Sequence, residues 1–186
     1  MREPEFRTDR VVLAKSAADW PDAFQAERLK VAETLGIPVQ SIEHFGSTSI
    51  PGLVAKPIID MMSPVRTLDD PLRDRLLETE LGYHRPETDF ARRVLFRRDG
   101  DAGRPGFHLH LVLDPDWPLK KELLFRDWLR DHPEAVERYA DLKRSLASEH
   151  GDDVARYTAG KTAFIQGIVT EARAARGLPP ETDWSE

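Results

Sequence analysis

The stretch EHFGSTSIPGLVAKPIIDMM, residues 43–62, decides how we interpret the rest of the chain. A turn rich in glycine and serine stands directly before an apolar run over residues 56–65. Pro57 holds Lys56 in an extended conformation, and an almost wholly apolar run of this length is typical of a buried strand. The sequence therefore predicts a polar turn that leads into a buried strand, with one carboxylate, Asp60, inside that strand.

Asp60 raises a chemical question, since every neighbour in PIIDMM is apolar. Burying an ionised carboxylate alone costs several kcal/mol or raises its pKa until the group is neutral. A divalent cation, a lysine or an arginine would each be a suitable partner. Backbone amides would also serve, with no chemistry involved. These residues alone leave the functional and the structural interpretation open.

The turn offers small side chains, hydroxyls and unhindered backbone N–H groups at Gly46, Ser47, Thr48 and Ser49. Such a loop at the end of a strand can cradle a phosphate. It is not a P-loop, because the ending G-K-[ST] is missing. We predict these four residues, together with Lys56, as contacts of a phosphate-bearing ligand.

The chain has 186 residues, of which 40% are hydrophobic and 32% charged, as in an ordinary globular domain. Its net charge of −6 gives no overall field that would attract nucleic acid or an anionic membrane. The lack of cysteine excludes disulfides and thiolate metal sites. We find no secretory signal and no apolar run long enough to span a bilayer. We therefore expect a cytoplasmic protein without a nucleic-acid or membrane partner.

Strand and helix candidates alternate in the first two thirds of the chain, and helices follow alone. Spacing, caps and breakers place strands at 10–16, 39–45, 56–65, 92–98 and 107–113, and helices at 19–35, 70–82, 118–130, 133–151 and 153–176. This order predicts an α/β (α+β) fold with helices packed on a mixed sheet. We expect an α/β core over 1–116, a segment of three helices over 117–176 packed on that core, and an irregular tail over 177–186.

The opening stretch also resembles the signature of the GrpB family of small bacterial proteins. Its glycine-serine pair before an acid on the next strand is similar to the pattern of the nucleotidyltransferase fold. FHLHLV (107–112), LLFRDWLRDHPEAVERYADLK (123–143) and YTAGKTAFI (157–165) resemble later blocks of the family. The resemblance extends from Val11 to about Ala175. Members are often described as accessory to dephospho-coenzyme A kinase.

The resemblance implies that Gly46 and Ser47 contact nucleotide phosphates and that Asp60 holds a magnesium ion that bridges them. The implied chemistry is in-line attack on the α-phosphorus, with pyrophosphate as the leaving group. Active members of the fold carry a second acid two residues after the first, on the same face of the strand. This chain has Met62 there, a poor ligand for a hard ion.

A third acid is expected on a neighbouring strand, where FHLHLVL offers His108 and His110 on one face and Asp114 only at the strand end. The two histidines could bind zinc or manganese, or one could act as a general base, so we predict them as catalytic residues with Asp60. Glu43 is a further candidate metal ligand. The alternative is that both histidines lie on a polar strand face or bond a neighbour without a function.

In the last predicted helix, Lys161 falls on an apolar stripe with Tyr157 and Phe164. A lysine there must pair with an acid, reach solvent or face a cleft. We predict that Tyr157 stacks on a base and that Lys161 meets a phosphate. The alternative is a lysine that packs its methylenes at the edge of the stripe. Arg126 could pair with a carboxylate or an anionic ligand, but we favour a solvated surface arginine.

Two functions follow from these residues. The first is a divergent nucleotidyltransferase that uses magnesium, manganese or zinc to move a nucleotidyl group from a nucleoside triphosphate. The second is a non-catalytic module that binds a nucleotide or a coenzyme A-like anion, as an accessory to a partner enzyme, after losing the full set of metal-binding acids.

Overall fold

The computed structural model describes residues 10–88, 90–101, 103–113, 117, 119–182 and 184. Within these ranges four strands form one sheet: β1 (Glu43–Phe45), β2 (Ile58–Pro64), β3 (Arg93–Arg98) and β4 (Gly106–Val112). Their order across the sheet is β1-β2-β4-β3. The two central strands run parallel, whereas β1 and β3 pair antiparallel with their neighbours. The predicted mixed sheet is confirmed.

The same residues form six α-helices: α1 (Trp20–Leu35), α2 (Pro71–Leu81), α3 (Lys121–Asp131), α4 (Pro133–His150), α5 (Val154–Ala159) and α6 (Thr162–Ala175). Local signals explain their bounds. The Asp70 side chain accepts from the Arg73 amide and caps α2. Gly36 and Gly82 end α1 and α2 with φ values of 61° and 69°, a conformation that favours glycine.

One face of the sheet is closed. Helices α1 and α2 pack on it, and the strand residues that point there are buried, several of them completely. These residues include Ile59, Met61, Leu109 and Leu111. Glu27 of α1, 1% exposed, accepts from the Tyr83 hydroxyl at 3.0 Å and from Arg98 at 2.7 Å. The buried acid on this face is therefore paired.

The opposite face of the sheet is covered only in part. Phe45, Met62 and Val112 pack against Leu123 of α3. Helices α3, α4 and α6 form a separate apolar cluster with residues 50–54 of the connection between β1 and β2. This connection is thereby fixed between the sheet and the helices. The remaining part of this face carries Asp60 and His108, whose side chains are 25% and 24% exposed. We call it the open face.

The first two predicted strands differ from the structure. Residues 10–16 form no strand; Ala14 makes one isolated bridge to Ala55, and the Val11 amide donates instead to the Gly151 carbonyl. The strand predicted over 39–45 begins with a 3-10 turn at Val39–Ser41 and keeps only β1. The amino-acid types in these two segments favour an extended backbone, but they do not show which strand would pair with it.

The helix predicted over 153–176 is interrupted at Gly160. A Cβ atom on Gly160 would lie 2.4 Å from Leu146 Cδ2, so the glycine allows α5 to end in close contact with α4. Lys161 therefore lies at the N-cap of α6 rather than inside a continuous stripe. The predicted helix start at Pro118 and the acid Asp114 lie outside the described residues.

Candidate metal and phosphate site

Strand register brings three potential metal ligands together on the open face. Asp60 of β2 stands opposite His108 of β4, and Met62 stands opposite His110. Asp60 Oδ1 lies 3.3 Å from His108 Nδ1. Ligand atoms of Asp60, His108 and His110 all lie within 4.8 Å of one another. Parallel pairing and a period of two therefore place the carboxylate and both imidazoles around one point.

The surroundings of the His110 side chain favour metal binding. It is 9% exposed, packs edge-on against Phe45 at 5.2 Å, and its Nδ1 atom has no hydrogen-bond partner among the described residues. Burial, and next the charge of Arg93, lower its pKa to about 3. The ring is therefore neutral at pH 7, which is the form that coordinates metals. A buried polar atom without a partner needs an explanation, and a metal ion is one.

The turn before β2 lies directly against the Asp60 carboxylate. Gly46 has a φ of 69°, and a Cβ atom there would lie 2.3 Å from Asp60 Oδ2. Only glycine combines this conformation with so close an approach. Gly46 and Ser47 are partly exposed, and their contact with a phosphate stays a prediction.

Thr48 and Ser49 use their side chains to hold the turn. Their hydroxyls are buried and donate to backbone carbonyls, Thr48 to Ile58 at 2.9 Å and Ser49 to Gly46 at 2.7 Å. His44 Nε2 also lies 3.1 Å from the Thr48 hydroxyl. These groups hold the turn on β2. Their hydroxyls are therefore used within the fold, and contact of these two residues with a phosphate-bearing ligand stays a prediction.

Three lysines interact electrostatically with Asp60: Lys56, Lys143 and Lys161. Burial, and next the charge of Lys161, lower the pKa of Lys143 to about 7; Asp60 opposes the shift and Lys56 adds to it. Burial and then Lys56 lower the pKa of Lys161 to about 8, again opposed by Asp60. Burial also lowers the pKa of Lys56. Three amines against one carboxylate leave an excess of positive charge around Asp60, and we call this part of the open face the cleft.

Sequence reasoning missed Lys143. This residue is 2% exposed, its Nζ donates to the Val54 carbonyl, and it lies 5.4 Å from the centroid of the Tyr139 ring. The signal was present, because Lys143 stands four residues after Tyr139 and three before Leu146, all buried on α4. A lysine at helical spacing between buried apolar residues is a candidate for a cleft or a buried pair.

Tyr157 is not placed as predicted. Its ring is 1% exposed and packs with Val11 and Leu146, so it has no free face for a base. Lys161 Nζ lies 4.5 Å from the centroid of that ring. The Lys161 ammonium group and the Tyr157 ring therefore form a cation–π contact inside the fold.

Glu43 pairs with an arginine and does not join the three potential metal ligands. Arg126 Nη1 donates to the Glu43 carboxylate at 2.7 Å and to the His44 carbonyl at 2.8 Å. Arg126 is 8% exposed and not a solvated surface arginine, so that interpretation was wrong. The prediction of Glu43 as a metal ligand is not supported either, since its carboxylate pairs with Arg126 and does not join Asp60.

These elements and their side chains define a mixed α/β protein with one half-open sheet face. The sequence model described as GrpB protein matches residues 10–171, and the chain belongs to the GrpB family. The crystal structure of conserved protein GrpB from Enterococcus faecalis is similar, with a TM-score of 0.73 and 30% identity over 89% of this chain and 99% of that one.

Several curated relatives share the sequence. A UPF0157 protein of Pseudomonas aeruginosa is 36% identical over 92% of this chain and 71% of its own length. The UPF0157 protein YqkA of Bacillus subtilis is 34% identical, and the match spans 83% of this chain but 45% of that protein. A protein of Mycobacterium tuberculosis named dephospho-CoA kinase is 32% identical over 82% of this chain and 44% of its length. The chain thus spans less than half of some of the proteins it matches.

The helices in the described ranges bear on one further expectation. None of them is both long enough and apolar enough to cross a lipid bilayer.

Proposed function

We propose that this GrpB-family protein binds a nucleotide or another phosphate-bearing ligand in the cleft on the open face. The observation that carries the proposal is that Lys56, Lys143 and Lys161 all interact with the charge of Asp60, whose carboxylate lies against the backbone of Gly46. Buried amines in excess of carboxylates are stabilised by a ligand with several negative charges. Phosphate groups meet this requirement, and glycine-rich turns offer them backbone N–H groups.

We further propose that Asp60, His108 and His110 hold one divalent ion beside this ligand. Magnesium fits this donor set poorly, because it prefers an octahedron of oxygens. Two imidazoles and one carboxylate suit zinc, manganese or another first-row transition metal. Met62, where the nucleotidyltransferase pattern has a second acid, is buried and offers no oxygen. The site therefore suits one ion rather than a pair.

The chemistry that this arrangement could support is nucleotidyl transfer. An ion bound there would polarise the α-phosphoryl oxygens and stabilise the charge that develops on them. Lys143 and Lys161 would hold the phosphates that leave as pyrophosphate, while the backbone of Gly46 would fix the position of Asp60. An acceptor hydroxyl would attack the α-phosphorus in line, lose its proton to solvent or to a basic side chain, and form the new phosphodiester.

Calorimetry with ATP, GTP and coenzyme A, each with and without Mn²⁺, tests the binding proposal. Lys161→Gln should weaken the best ligand at least about fivefold, because it removes a partly buried charge from the phosphates. Lys30→Gln is the matched control, since Lys30 is exposed on α1. Equal affinities in wild type and both variants, or no binding of any of the three compounds, would contradict the proposal.

Pyrophosphate release from labelled triphosphates tests the transfer step separately. We expect Mn²⁺-dependent release in the presence of a metabolite extract, and none with Asp60→Asn. Binding without release would favour the second candidate function, a non-catalytic accessory module. The similarity to proteins named dephospho-CoA kinase favours coenzyme A-like anions as the ligand in that case.

A further inference from the structure

A second cavity lies apart from the cleft, between α1 and α3 at the edge of the sheet. Its volume is about 510 Å³, within the range of small-molecule sites. One wall is the start of α1 and the residues before it, the floor is the β1 segment with Glu43 and His44, and the other wall contains Gly52 and two arginines of α3. None of the three lysines and neither histidine of β4 lines it.

The charge of this cavity is positive. Arg28, Arg126 and Arg130 line it, against the single lining carboxylate of Glu43. His44 adds no charge at pH 7, since burial lowers its pKa to about 4, although Asp60 opposes the shift. The lining residues therefore carry two positive charges in excess, of which Asp127, outside the lining, offsets one by pairing with Arg126 Nε at 2.8 Å.

The guanidinium groups are held in place by the fold. Arg130 donates from Nε and Nη2 to the Ser49 carbonyl, at 3.1 and 2.9 Å. Arg28 donates from Nε and Nη2 to the Val39 carbonyl, at 3.2 and 2.8 Å. Arg126 is bound through Nε and Nη1. Among the described residues no partner remains for Arg126 Nη2 or Arg130 Nη1. These donors are oriented in advance for an anion.

Most of the remaining lining is apolar or small, and Gln25 adds an amide. Phe24, Ile42 and two prolines contribute apolar surface, and Ala17, Ala18 and Gly52 leave room. Phe24 stacks on His44, with ring centroids 4.6 Å apart, which fixes its orientation. A ligand for this cavity would thus combine an oxyanion with a compact apolar body.

We propose that this cavity binds a small organic anion, with a carboxylate or a phosphate held by Arg126 and Arg130 and its apolar part against the exposed Pro21 and Pro51. The inference does not depend on the proposed function, because the two sites share no lysine or metal ligand. It adds a connection between them. Arg130 binds the Ser49 carbonyl, and Ser49 donates to Gly46, so an anion here contacts the turn that lies against Asp60.

Titration of the ¹⁵N-labelled chain with phenyl phosphate and with benzoate, followed by NMR, tests this proposal. The Gly52 amide reports on the cavity and the Gly46 amide reports on the cleft. We expect saturable shifts at Gly52 with at least one probe, and the tighter probe identifies the oxyanion. Inorganic phosphate, which lacks the apolar body, should bind more weakly at Gly52.

Three variants make the test specific without touching a buried arginine. Gln25 and Ala18 line the cavity and are exposed. Gln25→Glu should weaken the probe about threefold and Gln25→Lys should tighten it similarly, as expected for one charge at a partly solvated site. Ala18→Trp should abolish the shifts at Gly52 by filling the cavity, whereas Lys161→Gln should leave them unchanged. Absence of saturable shifts at Gly52 up to about 20 mM of both probes, or unchanged affinity in Ala18→Trp, would overturn the proposal.

Discussion

The two faces of the sheet use neighbouring residues of the same strands for opposite purposes. Met61 and Leu109 have no exposed surface and pack under α1 and α2, whereas Asp60 and His108, one position earlier, are about one quarter exposed on the open face. The difference teaches that an acid inside an apolar run need not be a buried charge. A strand with a period of two directs it to the other face, and the coverage of that face decides its role.

The largest effect should come from the closed face. Met61→Ala should lower the free energy of unfolding by about 3 kcal/mol, because it leaves a cavity in the main core. Urea denaturation followed by circular dichroism measures this. Metal affinity should not change, since the Met61 side chain points away from Asp60. A loss of affinity comparable to that of Asp60→Asn would show that the two faces are not independent.

Gly46→Ala should damage the open face through the backbone. The new Cβ atom would lie 2.3 Å from Asp60 Oδ2, in a conformation with φ of 69° that alanine avoids. We expect a loss of about 2 kcal/mol in stability and at least tenfold weaker metal binding, from strain and displacement of the carboxylate. Gly167→Ala is the matched control, because nothing lies within 4 Å of its Cβ position on α6. This control should be neutral or stabilising.

Lys143→Met should stabilise the protein, but it should also remove a positive charge from the cleft. The folded-state pKa of Lys143, about 7, is below its ordinary value, so the unfolded chain holds more protons between the two values. Wild-type stability should therefore rise with pH above 7, and the variant should lack this rise.

We expect the Lys143→Met variant to be about 1–2 kcal/mol more stable than wild type at pH 6.5, with the difference shrinking by pH 9. Chemical denaturation at both pH values measures it. The exposed Lys15 provides the control, because Lys15→Met should give no pH-dependent difference. A variant that is equally destabilised at both pH values would mean that the Lys143 contact to Val54 outweighs its buried charge.

The smallest expected effect is the change of ATP affinity with pH. The pKa values of Lys143 and Lys161, about 7 and about 8, mean that both amines lose protons as pH rises from 7 to 9. ATP binding should weaken about threefold to tenfold over this range as positive charge is lost. Calorimetry at three pH values measures the trend, and Lys161→Gln should flatten it. Affinity that is constant or rises with pH would contradict a role for these amines.

Much of the sheet could be predicted because its signals are local. Pro57 and the apolar run fixed β2, and alternation put His108 and His110 on one face with Asp60. The first segment, 10–16, has strand propensity too, but a strand needs a neighbour along its length and only Ala55 pairs there. Strand pairing is a property of the whole fold, which propensity does not contain.

The candidate site also combines residues that local sequence could predict with residues that it could not. Asp60 and Gly46 could be predicted because the turn and the strand adjoin in sequence. Glu43 could not be excluded, since its partner Arg126 lies 83 residues away on α3. Lys143 was missed because two stripes compete on α4, and only packing shows that Tyr139, Lys143 and Leu146 form the buried one.

Equilibrium dialysis against Zn²⁺ and Mn²⁺, with metal content determined by mass spectrometry, tests the central claim most directly. Our account predicts one ion per chain in wild type, and its loss in Asp60→Asn, His108→Gln and His110→Gln, while His84→Gln, at an exposed position, keeps it. Mg²⁺ should compete poorly. Wild-type protein that binds neither ion, or the same stoichiometry in all four variants, would contradict it.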